Sequence, residues 1–475
     1  MTETLPPAAA PVAAPAAAIG GRRLAAVLAA VGIPMFMVTL DNLVVTNALP
    51  VIRTELGASL ADLQWFVNAY TLSFASLLLT ASALGDRLGR RRIFLVGIAV
   101  FTAASAICAL ATAPGMLIAA RAVQGFGAAA VMPLSLTLLS AAVPEKMRSA
   151  AIGVWGGIAG LGVALGPLIG GAVVEGLSWQ WIFWVNVPIG LLVLPFALRV
   201  LEESHGGSRR VDLPGLLLSA GGVLAMVWGV IHGADDGWTS PGVLSALVGG
   251  VALLGCLIAW ELRTPEPMLP LRLFRSRAFR VSNATGFTFS MGVFGSIFLL
   301  AQYFQVVQGY GPLQSGIRTM PWTMAPMVVA PLAGLIVDRV GARALLTTGQ
   351  VLLAVALAWM AVVTSVDASY LSFVGPFLLG GIGMGLTFAP SATVVMAAAA
   401  EEDRAIASGT NNTLREVGVA MGVAVLASVF AAQGSYEDPQ SYVDGLVPAV
   451  WLGAAIVAVG AVVSRLLPAR IAVAR

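Results

Sequence analysis

Four charged residues stand inside long apolar runs of this chain: Asp41, Arg121, Arg415 and Glu416. A charge in hydrocarbon costs several kcal/mol unless it is paired or hydrated, so each marks a place where ionisation is used. Asp41 lies about 9 residues, roughly 13 Å, from one end of its run, and Arg121 about 7 residues, roughly 10 Å, from the matching end of its own. The two are at similar depth and are expected to pair. An aspartate beside an arginine that comes and goes takes up or gives off a proton as the pair opens or closes. A static pair joining two helices is the plainer alternative. Arg415 and Glu416 sit about 11 residues, roughly 17 Å, into their run. Adjacent positions on a helix do not face one another, so these two are expected to serve different partners.

Aromatic and amide residues in such runs are candidates for an amphipathic cavity: Asn42, Trp65, Tyr70, Gln124, Gln302, Gln305, Trp322, Asn411 and Asn412, with Arg415 and Glu416 beside them. Tryptophan and tyrosine near the end of a run serve equally as interfacial belt residues. The two histidines, His205 and His232, and the two cysteines, Cys108 and Cys256, have no metal-ligand spacing. No GxxxxGK[ST] loop is present, so neither a metal, a nucleotide nor any other cofactor is expected.

These residues require elements that cross a membrane. The chain has 475 residues, of which 58% are hydrophobic and only 10% charged, with a mean hydropathy of +0.91. An ordinary soluble domain is about one-quarter charged, so this composition cannot cover a water-facing surface. Fourteen runs are long enough to span a bilayer as helices: 24–49, 63–84, 93–112, 115–139, 150–174, 180–200, 214–233, 243–260, 280–307, 314–337, 344–364, 371–395, 405–431 and 446–467. Residues 1–23, rich in Ala and Pro, are expected to be a disordered tail, and 468–475 a second tail. An even number of spans puts both ends on one side. That side collects 22 of the 26 Lys and Arg residues, against one, Arg53, in the opposite loops. By the positive-inside rule both termini are cytoplasmic, so the basic excess follows membrane topology and does not point to nucleic acid.

The chain repeats itself. Gly85-Asp86-Arg87-Leu88-Gly89-Arg90-Arg91 after the second run has a partial copy at Val337-Asp338-Arg339-Val340-Gly341, the two aspartates 252 positions apart. Gly162/Gly166 recur as Gly418/Gly422 at an offset of 256, and Pro133 as Pro390 at 257. Three features at nearly one offset predict two related six-helix bundles, 24–200 and 280–467, with the helices 214–233 and 243–260 inserted within a 201–279 linker. Parallel repeats of this kind make a transporter with its site at the interface of the halves. The glycine-rich basic loop allows a tight reversal, and its arginines are suited to lipid phosphates or to acids across the interface of the halves. Gly162, Gly166, Gly170 and Gly171 present a small-residue face for close helix packing, and Pro167 can bend that helix.

The chain resembles the major facilitator superfamily, in particular its fourteen-helix drug:proton antiporter branch of multidrug exporters. Gly85–Arg91 is similar to the superfamily's loop between helices 2 and 3, and Arg121-Ala-Val-Gln124-Gly125-Phe-Gly127 to its helix 4 motif. Gly162-Val-Ala-Leu-Gly166-Pro167-Leu-Ile-Gly170-Gly171 is similar to the helix 5 antiporter motif, and Leu40-Asp41-Asn42 through Pro50 to the helix 1 motif. The last departs from its pattern at Leu43 and at Thr46-Asn47. The resemblance implies an all-α fold of two pseudo-symmetric six-helix bundles plus two inserted helices. It also implies a proton-coupled antiporter, with Asp41 and Arg121 as the coupling pair and the helix 5 motif as a seal favouring antiport. Gly85, Asp86, Arg87, Gly89, Arg90, Arg91, Asp338 and Arg339 would form a gate on the cytoplasmic side. The expected cargo is a small lipophilic compound, the other partners protons and membrane lipids, the site a bacterial inner membrane and the working unit a monomer. Uptake of a nutrient on the same fold is the alternative. A membrane-embedded enzyme lacks both a catalytic cluster and room for a soluble domain.

Overall fold

A computed structural model of the protein describes residues 21–205, 212–269, 271–399 and 404–468. The expected tails 1–20 and 469–475 lie outside these residues. Among the described residues fourteen helices are long and apolar enough to cross a membrane. In chain order they are α1 (Gly21–Leu56), α2 (Leu60–Leu88), α3 (Arg90–Ala109), α4 (Pro114–Ala142), α5 (Glu145–Gly176), α6 (Trp181–Val200) and α7 (Leu213–Asp236). There follow α8 (Pro241–Glu261), α9 (Arg277–Val306), α10 (Pro312–Val340), α11 (Ala342–Val363), α12 (Tyr370–Ala397), α13 (Arg404–Gln433) and α14 (Pro439–Ser464).

Two details correct the sequence reading. Helix α1 begins at Gly21 and takes in Arg22 and Arg23, which were expected in the tail. Its other end reaches Leu56, beyond the apolar run, because a helix that leaves hydrocarbon keeps its internal hydrogen bonds in water. Span α6 is two segments, Trp181–Trp184 and Asn186–Val200, meeting at Val185. Hydropathy reads through that junction. Local chemistry sets several starts: Ser59 caps α2 by accepting from the Asp62 amide at 3.1 Å while its own amide donates to the Asp62 carboxylate at 2.9 Å, a reciprocal capping box.

The two halves share one packing scheme. In the first, α1 packs on α5, α3 on α4, α2 on α4 and α3 on α6; in the second, α9 packs on α13, α11 on α12, α10 on α12 and α11 on α14. The halves meet through α5 against α10 and α2 against α13, as a twofold relation between repeats requires. The repeat extends to the backbone. Gly89 (φ 111°) and Gly341 (φ 92°) stand at equivalent turns, and each amide donates four residues back, to Gly85 and Val337. Only glycine takes such a φ without strain. The inserted helices pair with each other, and α7 rests on α2 and α13.

Candidate functional site

Asp41 and Arg121, whose similar depths allow a pair, meet. One Asp41 carboxylate oxygen accepts from Arg121 Nη1 at 2.5 Å. The other accepts from Gln124 Nε2 at 2.8 Å and Asn186 Nδ2 at 3.0 Å. The guanidinium also donates to the Phe66 carbonyl at 3.0 Å and to Gln124 Oε1 at 2.7 Å, and it covers the Tyr70 ring at 4.2 Å. Ser105 completes the cluster, accepting from Gln124 at 2.9 Å. Asp41 and Arg121 are 2% and 1% exposed, and the hydrogen-bond partners given for the pair all belong to the first half. Arg121 and Gln124 share a face of α4 because they are three residues apart. The junction in α6 puts Asn186 at the start of its second segment, where it reaches Asp41.

Between the halves lies a chamber with room for a few water-sized groups. Leu43, Thr46, Asn47 and Pro167 line it from the first half; Phe294, Thr319, Trp322, Phe377 and Met384 are among those lining it from the second. A second space lies within the second half among α9, α12 and α13, lined by Phe289, Phe388, Ser391, Asn411, Asn412 and Arg415 among others. Arg415 lies over the Phe388 ring at 4.2 Å, and Asn411 donates to Asn283 at 3.0 Å.

Of the residues proposed for one cavity, Trp322 therefore lines the central chamber, and Asn411, Asn412 and Arg415 line the second. The others do not join them. Tyr70 and Gln124 belong to the charge cluster. Trp65 packs with Val227 and Ile231 of α7 and Ala424 of α13. Gln302 accepts from the Tyr436 hydroxyl at 2.7 Å. Asn42 is half-buried on α1 and lines neither space. Glu416 and Arg415 form no ion pair with each other, as expected. Glu416 lies three residues from Thr413, which faces α2 and donates to the Ala75 carbonyl at 3.3 Å.

The glycines of α5 do close work. A methyl group at Gly166 would stand 2.7 Å from Leu43, and one at Gly170 3.0 Å from Val44, so α5 and α1 touch along the stretch that carries Asp41. On the other side of α5, a methyl at Gly171 would stand 2.7 Å from Leu313 of α10. This end of the interface is tied by hydrogen bonds. Asn47 donates to the carbonyls of Pro167 and Pro312 at 3.0 Å each, Gln305 donates to the Asn47 carbonyl at 2.8 Å, and the Leu313 amide donates to Glu175 at 3.0 Å. Arg53 covers the Tyr436 ring at 4.0 Å. Burial pushes the Tyr436 phenol above its ordinary range. Toward the other end the glycines meet no close neighbour. A methyl at Gly153, Gly156, Gly157 or Gly160 of α5, or at Gly334 of α10, would meet nothing within 4 Å.

The basic loop is held within its own half. Asp86 accepts from Arg90 at 2.7 Å, and Glu203, just after α6, accepts from the Arg91 and Arg92 amides at 2.8 and 3.1 Å. A carboxylate there meets the positive end of α3. Arg91 also donates to the Leu201 carbonyl at 3.0 Å. The acids that these arginines meet are thus not across the interface of the halves, which corrects that expectation. Arg87 and Arg339 are exposed, and the Asp338 side chain lies outside the described residues. Sequence reasoning missed Glu203, Asn186 and Asn47. The only signal was at Asn47, where the helix 1 motif departs from its pattern with a polar residue.

Two six-helix bundles of one packing scheme, facing each other across a chamber beside a buried ion pair, define a multi-pass membrane transporter. The chain belongs to the Major Facilitator Superfamily, whose family model matches residues 31–423. It is 41% identical to the multidrug resistance protein Stp of Mycobacterium tuberculosis, over 85% of this chain and 75% of that one. It is 39% identical to the cephamycin export protein CmcT of Amycolatopsis lactamdurans, over 83% and 82%. It is 35% identical to a methylenomycin A resistance protein of Streptomyces coelicolor, over 84% of each. Among solved structures, a bacterial homologue of the human lysosomal transporter Spinster, in an inward-facing conformation, superposes with a TM-score of 0.67 at 15% identity, covering 94% of this chain and 97% of that one.

Proposed function

We propose that this protein is a proton-coupled antiporter that exports small lipophilic compounds by alternating access, as a monomer in a bacterial cell membrane with both termini in the cytoplasm. The relatives named for drug resistance and antibiotic export support the cargo class. The distribution of arginines supports the orientation. With that orientation the ties at Asn47 and Gln305 lie on the outer side of the central chamber, which supports a chamber that takes its cargo from the cytoplasmic side.

The observation that carries the reading is the enclosed Asp41–Arg121 pair. A proton and the Arg121 guanidinium compete for one carboxylate. When Asp41 takes the proton, Arg121 keeps the Phe66 carbonyl, Gln124 and the Tyr70 ring, which offset part of the cost of the unpaired charge. Asp41 and Asn47 lie on one helix, six residues or roughly 9 Å apart. Breaking the pair thus releases α1 at the point where its other end ties the outer seal. In the proposed cycle the closed pair is the state after the proton has left toward the cytoplasm.

One proton is sufficient. About 100 mV acting on one charge supplies roughly 2.3 kcal/mol, and one pH unit about 1.36 kcal/mol. Together they hold a gradient of about several hundred-fold for a neutral solute. The test is drug susceptibility of a pump-deficient bacterial host. Expression of the protein should raise the inhibitory concentration of lipophilic antibiotics and dyes. No shift for any compound would contradict export.

A further inference from the structure

Resting on the export reading, the structure assigns a more specific role to the second space: we propose that Arg415 is the counter-ion for an acidic group, a carboxylate or an ionised phenol, on the exported compound. Three observations carry this. Arg415 is the only charged residue lining the space, where its neighbours are the uncharged polar side chains of Ser391, Ser408, Asn411 and Asn412. Its Nε is buried without a hydrogen-bond partner, and Arg415 has no ion pair among the described residues. Glu416, the adjacent carboxylate, does not line the space and is not within ion-pair distance of Arg415. The face of the Phe388 ring supports the guanidinium from one side without using its in-plane donors. A guanidinium with an unpartnered Nε, set beside hydroxyl and amide side chains in an otherwise apolar recess, is suited to recognise a carboxylate.

The two spaces adjoin. Met384 lines the central chamber and Phe388, one turn on along α12, lines the second. Phe289 and Phe388 stand edge to face at 5.2 Å, and Phe289 contacts Phe294 of the central chamber at 6.2 Å. A compound with an apolar body in the first space and an acid roughly 6 Å further along the helix axis matches both.

The test uses purified full-length protein in a neutral detergent and two dyes read by fluorescence anisotropy: rhodamine B, which carries a free benzoate, and its ethyl ester, which has the same cationic ring system without the acid. Wild type should bind the acid more tightly than the ester. Arg415→Gln should weaken rhodamine B about ten- to hundred-fold, the range for losing a hydrogen bond to a charged group, and leave the ester within about two-fold. Arg415→Lys should recover part of the loss, since it keeps the charge and gives up the fork. Unchanged ester binding shows that the variants fold. Equal loss for both dyes, no loss for rhodamine B, or equal affinities in wild type would overturn the Arg415 assignment and leave the export reading standing. Binding of neither dye would also overturn it, whereas export itself fails only in the susceptibility assay.

Discussion

The Gln305 side-chain amide of α9 donates to the main-chain carbonyl of Asn47 on α1 at 2.8 Å, tying one half of the protein to the other. Asn47 returns the link through its own amide, which bonds to Pro167 and Pro312. Asn47→Ala removes both of these bonds and should favour opening at that face. In a background with Cys108 and Cys256 replaced by serine, a reporter at Thr319→Cys should react several-fold faster with a membrane-impermeant maleimide added outside the cell. An unchanged rate would mean that the outer seal does not depend on Asn47.

Arg121 and Asp41 stabilise the fold only as a pair. Removing one partner of a buried ion pair leaves an uncompensated charge, at a cost of about 3–5 kcal/mol, while removing both charges is often nearly neutral. Thermal unfolding in detergent should therefore show Asp41→Asn and Arg121→Gln each less stable than wild type, and the double variant recovering most of the loss. Additive destabilisation would show that the two residues do not depend on each other.

Gly89 holds φ 111° at the α2–α3 turn, and a methyl group there would stand 2.8 Å from the Glu203 carboxyl. Gly89→Ala should cost about 1–3 kcal/mol through backbone strain, with a further loss from displacing Glu203. Adding Glu203→Ala should not restore stability, because the strain remains and the amides of Arg91 and Arg92 lose their acceptor. Melting temperatures of the two variants against wild type check this, and recovery in the double variant would contradict it.

Trp322 lines the central chamber, with its edge against Phe377. Trp322→Ala should weaken the binding of a compact lipophilic ligand about ten-fold or more, the scale of one large apolar contact. Trp322→Phe should lose less. Titration of the purified variants measures both. Equal affinities would place the ligand elsewhere.

The framework was legible in the sequence because it rests on composition and period. Apolar length gave fourteen spans, the arginines gave sidedness, and the pairs Asp86/Asp338 and Gly162/Gly418 gave the repeat. The pairing of Asp41 with Arg121 was legible from depth alone. Azimuth was not. A polar residue in a membrane helix is visible in sequence, but the neighbour it faces depends on the rotation of two helices. Tyr70 and Trp65 therefore shared one expectation and reached different places, the first against Arg121 and the second against α7. Asn186 was hidden for another reason: hydropathy does not register the junction at Val185 that aims it at Asp41. Glu203 looked like an ordinary loop acid because its partners are main-chain amides, which have no sequence signature.

Asp41 as the proton carrier is tested most directly by transport into inside-out membrane vesicles with an imposed pH gradient, acid inside. Wild type should accumulate an exported dye only while the interior is acid, and should discharge the gradient as it does so. Asp41→Asn should still bind the dye and equilibrate it across the membrane, but should neither accumulate it nor respond to the gradient. Gradient-driven accumulation by Asp41→Asn at the wild-type level would contradict the assignment.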